Sequence, residues 1–175
     1  MINYCISPGG KLSGRFRVPG DKSISHRALI LSAIAEGRSR ITGFLDGEDT
    51  LATMAAFKAM GVKIQHKTEN VVPEIQVIVD GVGMQGLSTP VTALNLGNSG
   101  TSVRLLSGLL SGLGVECELV GDESLMSRPM RRIVDPLQKM HASITCSEDG
   151  TLPIHIKGGV SLTAIDYEMP LASAQ

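Results

Sequence analysis

The feature that most restricts how this chain can fold is an order of elements that occurs twice. Residues 4–6 and 16–18, separated by Pro8-Gly9-Gly10, form short apolar runs that read as strands, and Pro19-Gly20 is a turn signal. A helix follows through Ala28, Leu29, Leu31, Ile34 and Ala35 to Gly37, with Ser23 or Ser25 placed to cap it. Residues 38–45 read as a strand, and Glu48, Asp49 and Thr50 open a second helix with acids in its first turn. That helix packs Leu51, Met54, Ala55 and Phe57 and stops at Gly61. Two alternating strands, one through Val62, Ile64 and His66 and one through Ile75, Val77 and Val79, close the set. The same order recurs at residues 93–96, 103–113 and 115–120. A helix with Met130, Ile133, Val134, Leu137 and Met140 on one face follows, then the strand pair 142–146 and 152–156. Lys22 lies 77 residues before Ser99, and Met60 lies 80 before Met140, which marks an internal duplication. Pro136 falls inside the last helical pattern and predicts a kink. A third copy opens near Ile165, with a strand toward Met169-Pro170 and a helix start at Ser173-Ala174-Gln175.

Each copy begins its first helix with a polar turn: Asp21-Lys22-Ser23, Asn98-Ser99-Gly100-Thr101 and Ser173-Ala174-Gln175. A helix start carries free backbone N–H groups and a partial positive charge, so it favours an anion. Lys22 adds a mobile point cation and Arg27 a planar fork suited to carboxylate or phosphate. If the copies are related by an approximate three-fold, these starts converge on one anion site. Taken alone, each turn is equally well an ordinary helix cap with solvated charges. Arg128 precedes Pro129, which keeps it out of helical geometry and puts Pro129 at a first helical position. Arg104 could pair with an acid or touch ligand, whereas Arg131 and Arg132 read as surface residues.

Composition narrows the classes. A formal charge of −1 gives no bias toward nucleic acid or anionic membranes, and 3% aromatics with no Trp leave few stacking platforms. Cys5, Cys117 and Cys146 match no metal or redox spacing and read as thiols of a reducing, cytoplasmic compartment. His66, His141 and His155 read as structural histidines, without metal-like spacing.

Gly20-Asp21-Lys22-Ser23-Ile24-Ser25-His26-Arg27 resembles the N-terminal signature of the 5-enolpyruvylshikimate-3-phosphate synthases, or 3-phosphoshikimate 1-carboxyvinyltransferases. Gly97-Asn98-Ser99-Gly100-Thr101, Arg128-Pro129 and Ser173-Ala174-Gln175 are similar to three further blocks of that family. The resemblance covers essentially the whole chain, although family members are more than twice as long. It implies an α/β fold of repeated β-α-β-α-β-β units in pseudo-three-fold arrangement, here two units and the start of a third. The implied units are about 20–88 and 93–163, with the third beginning about 165. Together they make an incomplete N-terminal globular domain over 20–175. Residues 1–19 would form a strand segment paired with a second domain that is not in this chain.

The implied reaction transfers the enolpyruvyl group of phosphoenolpyruvate to shikimate 3-phosphate by addition–elimination, releasing phosphate, with no metal or organic cofactor. It belongs to aromatic amino-acid biosynthesis. The same resemblance implies that Lys22, Asn98, Gly100, Arg128 and Gln175 contact phosphoenolpyruvate, with Lys22 catalytic. Lys22, Ser23, Arg27, Ser173 and Gln175 would contact shikimate 3-phosphate. The family's acid/base groups lie in the second domain, so Glu48, Asp49, Glu123 and Asp135 are not candidates for that role, and the chain alone is expected to be inactive. Partners would be the two small substrates and the missing domain, not nucleic acid or membrane. The family is the glyphosate target. Leu105 and the Ser-Ala-Gln element resemble the branch with many tolerant enzymes, but Gly100 is not the alanine linked to tolerance. Two rival readings remain. UDP-N-acetylglucosamine enolpyruvyl transferases normally have Lys-Asn at positions 22–23 and a Cys shortly before Arg-Pro, and residues 121–127 contain no Cys. The other is a non-catalytic ligand-binding module of the same fold.

Overall fold

Asp21, not a serine, starts the first helix. In the computed structural model, which describes residues 3–5, 7–67 and 76–170, helix α1 (Lys22–Ile34) is capped by the Asp21 carboxylate, which accepts from the Ile24 amide at 2.7 Å. Ser25 does something else: its hydroxyl donates to the Asp21 carbonyl at 2.7 Å and accepts from the Leu45 amide at 3.0 Å. It therefore ties the chain leaving strand β1 (Glu36–Thr42) back to the helix start. Helix α2 (Glu48–Ala59) and strands β2 (Lys63–Lys67) and β3 (Gln76–Val82) complete the first unit. Its sheet has the order β1-β3-β2, with both pairings antiparallel. Arg38 and Asp80, opposite each other on β1 and β3, form an exposed ion pair at 2.6 Å that favours this register.

The second unit repeats the plan. Strand β4 (Leu94–Asn95) leads into α3 (Gly100–Leu113), β5 (Cys117–Val120), a one-turn helix α4 (Glu123–Met126), α5 (Arg131–Lys139), β6 (Ser143–Thr145) and β7 (Ile154–Lys157). The sheet order is β4-β5-β7-β6; β4 runs parallel to β5 and the other pairs are antiparallel. The duplication holds in detail. Met60 and Met140 are the C-caps of α2 and α5, and Gly61 and His141 follow them with φ of 92° and 66°. The Met60 and Met140 carbonyls accept from Ser88 and Thr163 respectively. At the other end of each unit a glycine lets the last strand approach the first helix. A Cβ on Gly81 would lie 2.3 Å from the Ala35 carbonyl oxygen, and one on Gly158 2.0 Å from Gly114. At the helix starts the match is one residue off the Lys22–Ser99 alignment, because the caps are Asp21 and Ser99.

Several expectations fail. Residues 16–18 and residues 4–5 form no strand, and neither do residues 165–169; residue 6 lies outside the described residues. A strand needs an edge to pair with, and none of these segments meets one: Phe16 is 89% exposed. The chain does run close to the first unit at Gly20, where a Cβ would sit 2.1 Å from the Gly43 carbonyl oxygen. Near residue 165 it is held by Thr163 on the α5 C-cap and by the Lys139 ammonium over the Tyr167 ring, without a ladder. Leu31, Leu51 and Ala55 are exposed; α2 turns Thr53, Met54, Ala56, Phe57 and Met60 inward instead. Pro129 sits two residues before α5, because the Arg128 amide closes the turn on the Leu125 carbonyl at 3.1 Å. Pro136 lies inside α5.

One hydrophobic core runs through both units, joining Leu29, Phe57 and Met60 to Leu96, Leu106, Leu110, Leu119, Ile154 and Ile156. Helices α2 and α3 meet across it, which brings the starts of α1, α2 and α3 to one end. Among the described residues, no helix is long and apolar enough to cross a membrane.

Candidate functional site

The helix starts open into a cavity of about 570 Å³ lined by Lys22, Asp49, Asn98, Gly100, Arg104 and Arg128, among others. Three cations from both units thus face one carboxylate. Lys22, the first residue of α1, is about half exposed and pairs with Asp49 in the first turn of α2. From sequence Asp49 is only a helix-dipole acid; its separation from Lys22 by 27 positions in the chain hides the contact.

Arg128 is placed by an amide relay. Its Nη2 donates to Asn98 Oδ1, while Asn98 Nδ2 donates to Asp122 at 2.8 and 3.1 Å. Asn98 therefore lines the cavity mainly by orienting Arg128. Asp122 also caps α4 through the Leu125 amide at 2.8 Å. The Asn98 amide, the Leu125 N–H and the nearby Arg128 charge together hold the Asp122 carboxyl below its ordinary 3.8. A carboxyl with a depressed folded pKa stabilises the fold above its unfolded value, and that contribution is lost as pH falls from there through the folded value. The acid limb of stability below about pH 4 is therefore expected to be shallower in Asp122→Asn than in the wild type, as read from denaturant melts at pH 7, 4 and 3. Identical limbs would refute a role for the relay in the folded state.

Among the described residues, Arg104 has no acid partner in the cavity. It donates to the Gly100 carbonyl at 3.1 Å and approaches the Pro129 carbonyl at 3.5 Å. Burial, with Arg128 and Arg132 nearby, holds its guanidinium below the usual arginine range while leaving it charged. Gly100 lies between the two guanidinium groups: a Cβ there would be 2.8 Å from Arg104 Nη1 and 3.2 Å from Arg128 Nη1. Forks of this kind, beside the positive end of α3, suit a carboxylate or phosphate.

Behind the cavity wall runs a chain of buried polar side chains. His26 is fully buried on α1, and its Nδ1 is 2.9 Å from Thr53 Oγ1 on α2. Thr53 Oγ1 is 2.6 Å from Ser102 Oγ, which is 2.5 Å from Ser99 Oγ, the α3 cap. Sequence reasoning gave His26 no role and missed Thr53, since an inward-facing threonine interrupts no apolar period strongly. Elsewhere His141 contacts Thr163 at 2.8 Å, His66 lies near Asp46 at 3.7 Å and edge-on to the Phe44 ring, and His155 lies near Glu118 at 3.9 Å. Cys117 is buried, and burial raises its thiol to about 11.

Of the residues singled out from sequence, Lys22, Asn98, Gly100 and Arg128 are brought together in the cavity. Ser23 and Arg27 are exposed on α1 and do not line it. Ser173 and Gln175 lie outside the described residues.

The two-unit fold with this cavity is an enolpyruvyl transferase fold. It superposes on EPSP synthase from Acinetobacter baumannii with a TM-score of 0.85 at 53% identity, covering 93% of this chain and 36% of that one. The chain belongs to the EPSP synthase (3-phosphoshikimate 1-carboxyvinyltransferase) family, whose model matches residues 6–175. A 3-phosphoshikimate 1-carboxyvinyltransferase of Nitrosococcus oceani is 56% identical over 172 residues, and that of Methylococcus capsulatus 54% over 174. These alignments take in 98% and 99% of this chain, but the chain spans only 38% and 39% of those relatives.

Proposed function

We propose that this chain is the N-terminal part of a transferase that moves the enolpyruvyl group of phosphoenolpyruvate onto shikimate 3-phosphate. The observation that carries this reading is the cavity in which Lys22 of the first unit meets Arg104 and Arg128 of the second around Gly100. Lys22 and Arg128 hold phosphoenolpyruvate, with Gly100 giving the ligand room and Asn98 fixing the Arg128 fork. Ser23 and Arg27, with Ser173 and Gln175, hold shikimate 3-phosphate. The acid/base chemistry falls to a second domain. Residues 1–19, with Phe16 bare to solvent, pair with that domain, and 20–175 are two repeat units and the start of a third.

The chain alone is therefore expected to release no phosphate from the two substrates together. It should bind shikimate 3-phosphate with a Kd of about 1 mM, weakening as salt rises, because only part of each site is present. Phosphoenolpyruvate, which needs closure of the second domain, should scarcely bind. NMR titration with each ligand separately checks this. Turnover within a few orders of magnitude of a full-length enzyme, or phosphoenolpyruvate binding tightly and phosphoshikimate not at all, would overturn it.

A further inference from the structure

The chain His26–Thr53–Ser102–Ser99 links α1, α2 and the α3 cap, so it crosses from one repeat to the other directly beneath the cavity. All four side chains are fully buried. In a low-dielectric interior each hydroxyl proton needs an acceptor, and this restricts which way the chain can run. If His26 donated and the protons pointed toward Ser99, that oxygen would accept from both the Ser102 amide at 3.2 Å and the Ser102 hydroxyl. Its own proton would then have no acceptor within the chain. In the opposite direction Ser99 donates to Ser102, Ser102 to Thr53, and Thr53 to the Asp49 carbonyl at 3.3 Å. Thr53 Oγ1 then accepts from His26 Nδ1–H, and every hydroxyl proton is placed. The one unpaired group left is the Nε2 lone pair of His26, which is buried without a partner. An unpaired acceptor is the less costly orphan; the other tautomer would bury an unpaired N–H.

Taking the cavity as the substrate site, we infer that His26 and Thr53 are positioning residues: His26, neutral and protonated at Nδ1, holds the hydroxyl chain that sets the Asn98–Gly100 turn against the Lys22–Asp49 pair. Thr53 is the junction, because it touches the Asp49 backbone on one side and the α3 cap on the other. Burial lowers the His26 pKa from 6.5; the Asp49 charge opposes this and Lys22 reinforces it, so the imidazole is neutral at neutral pH. The geometry also explains which replacements can serve. An asparagine amide can occupy the Nδ1 position and donate to Thr53, whereas leucine fills the space and donates nothing.

The test needs no ligand, so it fails separately from the transferase reading. Ring nitrogen NMR shifts of the intact chain should report an Nδ1–H tautomer for His26 that persists across neutral pH; an Nε2–H tautomer or an imidazolium there would overturn the inference. Thr53→Val keeps the volume but removes the junction. It should shift the Asn98, Gly100 and Lys22 amide resonances and speed exchange of the Ser102 amide about tenfold. His26→Leu should act alike and His26→Asn should restore the wild-type pattern. If folded Thr53→Val leaves those resonances and that exchange rate unchanged, or His26→Asn departs from wild type as far as His26→Leu, the positioning role is wrong. Should His26→Leu not fold, Thr53→Val and His26→Asn decide it.

Discussion

In a full-length transferase carrying this chain as its N-terminal part, Arg128→Ala and Lys22→Ala are each expected to lower kcat on the order of 10²–10³-fold. Lys22 enters the cavity from the start of α1 and Arg128 from the turn between α4 and α5, and both are oriented before any ligand arrives, Arg128 by the Asn98–Asp122 relay and Lys22 by Asp49. A preorganised donor of this kind needs no reorganisation when charge develops, which is why its removal is costly. Arg128→Ala also leaves Asn98 Oδ1 without its donor, so the turn before α3 loosens as well. Lys22→Arg should fail substantially too, since a planar fork does not replace a compact point cation on a flexible stem. Steady-state kinetics with both substrates decide the matter, and near wild-type kcat for any of the three would remove these residues from the site.

Phe57→Ala is expected to destabilise the fold by about 3–5 kcal/mol. Phe57 is fully buried on α2, in the core that continues from the first unit into the second, so its loss leaves a cavity in that shared core. With domain stabilities of about 5–15 kcal/mol, this one change would use up much of the margin. Urea titration should show a lower midpoint with an unchanged slope. A loss below about 1 kcal/mol would mean that the neighbours collapse into the space and that the inter-unit core is softer than it looks.

How far the fold could be read from the sequence differed by kind of signal. The duplication was legible because it is carried by spacing: Met60 and Met140 do cap equivalent helices. Lys22, Asn98, Gly100 and Arg128 were legible because special motifs mark them, and the cavity does gather them. Contacts between distant acids and bases were not. Nothing local tells Asp49 that Lys22 will stand beside it, or Asp122 that it will hold an amide 24 residues away. The inward turn of Thr53 was missed for the same reason: a threonine is buried when a partner awaits it, and that partner is on another helix. The strands at 4–6 and 16–18 were expected from short apolar runs and the one at 165–169 from the repeat, and neither signal says whether an edge is within reach.

The sheet orders have a consequence for how the chain behaves in a crowded solution. Each sheet ends in two strands with an open row of backbone groups, which another chain could extend. In the first sheet the open strands are long, but Glu36, Arg38 and Arg40 on β1 and Lys63 and Lys67 on β2 are exposed along them. In the second sheet β4 and β6 carry no charge, and they are two and three residues long. An added strand needs a run that is both long and uncharged, and no edge among the described residues offers both. The two repeats have thus reached the same protection against edge-to-edge aggregation by opposite means, charge in one and brevity in the other.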